Sequence, residues 1–509
     1  MKKLWIVLLS LAMVAAFCMP ASAVDVKFSG SYYVAGDYYS DLDIVDSGAY
    51  LGSSSTTTPG YWSVSDGPAP PVFTWHDPVT TTQNHHGSDK STAFFRQRLR
   101  IQTEFVVSPG LSLITRFDAL EKIWGDQQWS GSRSPYASRS HAVDGNMKEQ
   151  ENIEFEQAYI QYMSKVGMWW IGLAPHDFWG TTFGDSTQTE ALVQWILPIN
   201  QNWTIGAKYF KHYENSPNLF GGSASDSNDA DDSAYVGVGI FKTQDIETGL
   251  KVAYRKLAQN KDSGIYTPIP PYSQITGWLI TPYFKGKFGP VSIQAEAEYW
   301  NGEVELQGNA PYANYGVIGL DPTDTIDMEF WSFYLDGKVD IGPAYVGGRF
   351  IYVSGDDLSS GDEFEGSDFL NNRAFEMCWG GVDLKQTLIL WNEDVTLWVG
   401  DRWNLGPGVK NAQFFQVYGG YKWQDFSFAG SLAYAKADET RSNQDDDYGY
   451  ELDVTASYKI TNNLSYMVGA GYLWTGDYFK YNNYGYSGGA TEIDVDDVYL
   501  ITNKLTLSF

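Results

Sequence analysis

The chain is nearly without cysteine. It has two in 509 residues, and Cys18 falls inside the N-terminal apolar run. That leaves Cys378 alone beyond residue 23, which excludes an intrachain disulfide framework. Long apolar runs are also missing. After Phe17 no stretch reaches the roughly 20 apolar residues a membrane-spanning helix needs. Positive charge is scarce, with 34 Lys and Arg against 62 Asp and Glu and a formal charge of −28, so a polyanionic partner such as nucleic acid is excluded. Histidines number six, and only His212 falls in an expected strand, which argues against a histidine-based catalytic or haem site and gives no enzyme reading. The pattern suggests no cofactor and no metal: phosphate-binding loops and haem-attachment motifs are absent, and loop residues His76, His85 and His86 are read as ordinary surface.

What is present begins with an export signal. Lys2 and Lys3 precede the apolar segment from Leu4 to Phe17, and Ala21-Ser22-Ala23 supplies a small-x-small cleavage site. Residues 1–23 are read as a signal peptide and 24–509 as one unit. The strand pattern starts at Val24, which leaves no room for a plug domain ahead of it.

Aromatics make up 16% of the chain, with 35 Tyr and 19 Trp. Many sit in segments of about ten residues with strict alternation. Tyr450, Leu452, Val454, Ala456, Tyr458 and Ile460 share one parity, and Glu451, Asp453, Thr455, Ser457 and Lys459 the other. Period 2 is the mark of a strand with unlike faces. Eighteen such segments are expected, near 24–38, 93–107, 111–122, 153–164, 168–175, 191–198, 203–212, 234–243, 250–258, 274–287, 291–301, 328–341, 344–354, 411–423, 426–437, 448–461, 464–478 and 495–509. Sixteen to twenty are compatible with the pattern, because 373–410 reads either as further strands or as loop folded inward. Short connections such as Ser108-Pro109-Gly110 and Phe288-Gly289-Pro290 alternate with long ones such as 41–91 and 356–410. Export, aromatics, alternation and this rhythm of connections describe an all-β, transmembrane antiparallel β-barrel with short periplasmic turns and long outer loops. The final Lys504-Leu505-Thr506-Leu507-Ser508-Phe509 fits a closing strand with an aromatic end.

In FFRQRLRIQTEF (94–105), Arg96, Arg98 and Arg100 occupy alternate positions, opposite Phe95, Leu99, Ile101 and Phe105. A helix would scatter the arginines, whereas a strand lines them up. An Arg on the lipid face near the midplane costs ~2–4 kcal/mol, so the ladder is expected to face the lumen. Arg116 and Asp118 on the next strand are expected beside it, with Glu104 and Asp118 the first candidates for structural pairing. The acidic excess falls mostly in loops such as 226–232 and 356–368. These are read as hydrophilic surface, with divalent-cation binding as the alternative.

The stretch FEQAYIQYMSKVGMWWIGLAPHDFWGTTFGD (155–185) resembles the strand–turn–strand–loop of Gram-negative porins, although the general-porin loop tip is missing and eighteen strands lie nearer the sugar-specific and alginate-export types. The resemblance implies a loop folded into the lumen, with Asp177 and Asp185 as loop acids facing Arg96, Arg98, Arg100 and Arg116. Loop 41–91, with Tyr61, Trp62 and Trp75, is the alternative constriction. The implied function is an outer-membrane porin passing small hydrophilic solutes by diffusion. The alternatives are a substrate-specific channel for oligosaccharides or anions, and a barrel sheath around an electron-conducting cytochrome. Expected partners are outer-membrane lipid, lipopolysaccharide and small solutes. A homotrimer is one assembly such barrels adopt.

Overall fold

In a computed structural model the fold is described for residues 24–41, 44, short paired segments within 50–86, 91–124, 153–176, 178–185, 189–214, 231–258, 272–306, 325–357, 363–366, 387–399, 408–440, 444–481 and 493–509. The barrel strands are β1 (Asp25–Ser40), β2 (Thr92–Ser108), β3 (Leu111–Ile123), β4 (Ile153–Ser164), β5 (Gly167–Pro175), β6 (Thr189–Pro198), β7 (Trp203–Tyr213), β8 (Asp232–Lys242), β9 (Ile246–Leu257), β10 (Tyr272–Phe288), β11 (Val291–Leu306), β12 (Thr325–Ile341), β13 (Ala344–Val353), β14 (Ala412–Trp423), β15 (Phe426–Ala437), β16 (Asp447–Lys459), β17 (Leu464–Thr475) and β18 (Val498–Ser508). Each pairs antiparallel with its neighbours in chain order, and β1 pairs with both β2 and β18. The result is a closed eighteen-stranded antiparallel barrel. Each expected segment coincides with one strand to within a few residues. Closure removes the sheet edges and satisfies the backbone within the wall, the condition for a sheet to cross a bilayer.

The seam is held at its end by reciprocal bonds. Gly30 N–H donates to the Phe509 carbonyl at 2.8 Å, and Phe509 N–H donates to the Gly30 carbonyl at 3.0 Å. A Cβ at Gly30 would stand 2.5 Å from the Arg100 carbonyl oxygen and 2.8 Å from the Phe509 ring, so the close approach requires glycine.

Register separates two faces. Outward side chains are exposed and apolar, among them Phe155, Ile160, Val193, Leu250, Val417, Leu452, Val454 and Ile501. Aromatic pairs mark both rims of this belt: Trp203–Phe241 (5.0 Å) and Phe426–Tyr458 (4.6 Å) near the short turns, Tyr434–Tyr450 (4.6 Å) and Tyr38–Tyr499 (5.7 Å) near the long loops. Along β16, Tyr450 to Tyr458 spans ~27 Å of strand, or ~20 Å along the axis at the usual tilt, close to the ~25 Å band of such barrels.

The inner wall has two zones. Toward the loops it is apolar and covered. Phe210, Leu279, Trp300, Val304 and Phe330 form one cluster, and Ile351, Phe414, Leu473 and Leu500 belong to another. Toward the turns it is polar and carries Lys285, Lys338, Asp340 and Lys27. Outside the barrel wall, 50–58 pairs with 79–86 and 61–64 with 73–76 as separate two-stranded sheets. Tyr61, Trp62 and Trp75 lie on the latter pair; the placement of their side chains lies outside the described residues.

The 373–410 stretch adds no barrel strand among the described residues. Residues 387–391 form a turn, and Glu393–Trp398 form a short helix, α1. Asn392 caps it, accepting from Asp394 N–H at 2.9 Å, with Glu393 and Asp394 in the first turn where the helix dipole favours acids.

Candidate functional site

Arg96, Arg98 and Arg100 stand on the inner face of β2, pairing across to Ala35, Tyr33 and Ser31 of β1. None is alone. Arg96 is buried, with Nε donating to Asp37 Oδ2 at 2.6 Å and Nη2 3.1 Å from Asp394 Oδ2 in α1. Arg98 Nη1 reaches Glu121 Oε1 at 3.3 Å and Asp118 Oδ2 at 3.9 Å. Arg100 grips Asp118 with two bonds, 2.7 and 2.5 Å, and Arg116 Nη2 meets Glu156 Oε2 at 3.3 Å. Four guanidiniums thus face five carboxylates, Asp37, Asp118, Glu121, Glu156 and Asp394. Pairing at these distances cancels most of the arginines' field beyond a few ångströms. The Asp118 pairing follows the sequence expectation. Glu104 does not, since it bonds Lys27 Nζ at 3.1 Å and Ser112 Oγ at 2.9 Å.

Residues 178–185, between β5 and β6, fold into the barrel, and among the described residues they contact β10, β11 and β12. Thr181 donates both N–H and Oγ1–H to Glu296 Oε2 at 2.7 Å. Trp179 Nε1 donates to the Thr281 carbonyl at 3.1 Å, and Lys285 Nζ to the Gly180 carbonyl at 2.8 Å. Phe183 stacks on Tyr334 at 5.4 Å and 9°. Gly180 sits at φ +60°, and a Cβ there or at Gly184 would come within 2.5 or 2.1 Å of the Glu296 carboxylate. Glycine at both positions lets the turn wrap the buried acid. Glu296 lies on β11, nine places round the eighteen-strand ring from β2, hence on the opposite wall. Asp185 follows Gly184 on that side and is half-buried. The described partners of the arginines are Asp37, Asp118, Glu121, Glu156 and Asp394, where the porin resemblance implied Asp177 and Asp185. Asp177 lies outside the described residues.

A second inward fold comes from 387–399, between β13 and β14. Here Glu451 of β16 receives three consecutive backbone N–H groups: Leu388 at 2.9 Å and Ile389 at 2.7 Å on Oε1, Leu390 at 2.8 Å on Oε2. Asp453 Oδ2 accepts from Leu388 N–H and Ser431 Oγ, both at 3.3 Å. Inside the turn Thr387 Oγ1 donates to the Leu390 carbonyl, and Asn392 Nδ2 donates to the Thr387 carbonyl at 2.8 Å. Ile389, Leu390 and Trp391 are buried, with Trp391 edge-on to Tyr448 at 5.3 Å. The Asp394–Arg96 contact ties the far end of this segment to β2. So α1 bridges from the β16 wall to the arginine ladder, and among the described residues this inward segment is the one that meets the arginines.

The sequence alternation put Glu451 and Asp453 on the polar parity of their segment. It did not identify them, or Glu296, as anchors for inward loops. The available signal was the Gly180-Thr181-Thr182-Phe183-Gly184 run beside an acid-bearing wall.

No protein-family model matches the chain, and no curated protein does. Among solved structures it is similar to OccAB1 of Acinetobacter baumannii, with 11% identity, 96% of this chain and 99% of that one covered, and a TM-score of 0.48. It is also similar to an anion-selective porin from Comamonas acidovorans, with 10% identity, 95% and 99% covered, and a TM-score of 0.41. A third is the outer membrane channel DcaP of Acinetobacter baumannii, with 12% identity, 96% and 97% covered, and a TM-score of 0.39.

Proposed function

We propose that the chain is an outer-membrane porin, a water-filled channel through which small hydrophilic solutes diffuse down their gradients, and that it is not an enzyme. One observation carries this reading: charged side chains on the inner wall of a closed, lipid-belted barrel keep substantial solvent access, with Lys285 and Lys338 at 37% and Asp340 at 43%. A filled or dry barrel would not leave lysines and aspartates wetted on its inside. Eighteen strands enclose more space than their side chains fill. The two inward folds, anchored on β11 and β16, divide that space and narrow the path between the apolar loop zone and the polar turn zone. They also occupy room that a cytochrome inside the barrel would need, which favours a solute channel over a conducting sheath.

In this reading residues 1–23 direct export and are removed, the belt contacts outer-membrane lipid and lipopolysaccharide, and Arg96, Arg98, Arg100, Arg116 and Asp118 line the passage as paired charges. The test is a planar-bilayer recording of the purified chain. Discrete, ohmic steps in 1 M KCl are expected, with weak ion selectivity at low salt because the wall charges are matched. A folded barrel that inserts and carries no current would overturn the porin reading.

A further inference from the structure

Beneath the 387–388 turn, on the wall formed by β13 to β16, lies a recess of about 260 Å³. Two tyrosines pave one side of it. Tyr345 lies across Gly420, whose added Cβ would meet that ring at 2.5 Å, and Tyr418 lies across Gly347, whose Cβ would meet it at 2.4 Å. Each ring therefore lies close against the backbone of the neighbouring strand, the two tilted 58° to one another with centroids 6.3 Å apart. Tyr418 is pinned further, its hydroxyl donating to both oxygens of Asp336 at 3.0 and 2.9 Å. The remaining rim is a band of hydrogen-bonding groups: Arg349, Gln416, Ser431, Asp453 and Thr455.

The basic groups Arg349 and Lys338 beside this recess are paired. Arg349 Nε bonds Asp336 Oδ2 at 3.1 Å, and Lys338 Nζ stands 3.3 Å from Asp340. Arg349, the cation that lines the recess, is already held by Asp336 and by Gln416 Oε1, so an anion there meets a guanidinium that is paired. Asp453 Oδ2 accepts from Ser431 and Leu388, and its Oδ1, near Gly471, has no hydrogen-bond partner of its own. What the recess offers is apolar ring surface beside several hydrogen-bond donors and acceptors. That combination suits a ring with C–H groups on its faces and hydroxyls round its edge.

Resting on the porin reading, we infer that this recess is a binding site for a neutral cyclic polyol, a single sugar ring or one unit of a longer saccharide. The volume lies just under the ~300–1,000 Å³ of pockets that take drug-sized ligands, which limits the occupant to about one ring. Its position directly below the second inward fold makes it a station on the solute path.

The test uses the full chain in detergent and in planar bilayers, with glucose as probe, sorbitol as the open-chain polyol and gluconate as the anion. Calorimetric titration of the wild type should give saturable glucose binding, roughly tenfold weaker for sorbitol and gluconate. Single-channel current should fall saturably with glucose over the same concentrations. Tyr345→Leu removes one ring face, and Thr455→Val removes one hydroxyl without changing shape. Each should weaken glucose binding by about tenfold or less while leaving conductance in KCl and the heat-shifted gel band in place. Glucose binding that is absent in the folded wild type, or unaltered in both variants, overturns the site. Normal conductance without glucose binding overturns the site alone. Glucose binding without conductance overturns the porin reading and keeps the site.

Discussion

Replacing Glu451 with alanine should loosen the second inward fold without opening the barrel. Glu451 is fully buried and accepts three backbone N–H groups from 388–390. Bonds to a charged acceptor are worth ~1.5–3 kcal/mol each, so about 5–9 kcal/mol of interaction is lost. Part of that returns, because the mutant no longer buries a carboxylate, a cost of several kcal/mol. A net loss of roughly 2–4 kcal/mol for docking the turn is the outcome. Against it stand Ile389, Leu390 and Trp391, each worth ~1.5–3 kcal/mol by burial, and the Arg96–Asp394 contact. The apolar anchors win on average, so the segment should visit the released state instead of leaving permanently. In single-channel records the variant should show excursions to a higher conductance, and amide exchange at 387–391 should rise by one to three decades, the factor ~2–4 kcal/mol implies. Glu451→Gln, which keeps an oxygen for one or two of the N–H groups, should fall between. Steady wild-type current together with unchanged exchange in the alanine variant would refute the anchor.

Four other outcomes follow from the same contacts. Arg100→Ser leaves Asp118, whose side chain is 1% exposed, without its bidentate partner; the temperature of the heat-induced gel shift should drop, in line with ~3–5 kcal/mol for breaking a buried pair, and a shift unchanged within error would show the pair to be dispensable. Gly30→Val should lower the yield of closed barrel, because the added atoms meet the Arg100 carbonyl and the Phe509 ring, and normal yield would contradict the seam geometry. At the mouth, burial first, and then neighbouring acids, raise the carboxyls of Asp356 and Glu439 above the usual range. A folded-state value above the unfolded one gives stability that is full below the unfolded pKa and is lost as pH rises through the folded one, so exchange at 354–357 and 438–440 should quicken from pH 4 upward, and Glu439→Gln should flatten that profile. A tag inserted at Gly289, in a short turn, should be labelled only after the outer membrane is permeabilised, and labelling of intact cells would invert the topology.

The strands were legible because a half-lipid, half-water wall imposes period 2, and nothing else in the chain competes with it over ten residues. Phe95 and Arg96 reveal their faces by cost alone. The helix at Glu393–Trp398 was harder to read, since Val395, Thr396 and Trp398 are residues that also suit strands. Its N-cap Asn392 and acidic first turn were the countersignal. The anchors were not legible. Glu451 meets backbone donors more than sixty positions earlier in the chain, and a backbone N–H leaves no trace in residue identity. The arginine partners were half legible: Asp118 lies one strand away at matching register, whereas Asp394 arrives from a loop whose path no periodicity records.

Liposome swelling in uncharged solutes of graded size tests the central claim most directly, that the barrel is a wet passage narrowed by two anchored inward folds. Wild-type protein should admit a monosaccharide freely and slow steeply for larger oligomers, and Glu451→Ala should move the cut-off to larger solutes. Exclusion of even the smallest solute by folded, inserted protein, or a cut-off indifferent to loss of the Glu451 anchor, would contradict it.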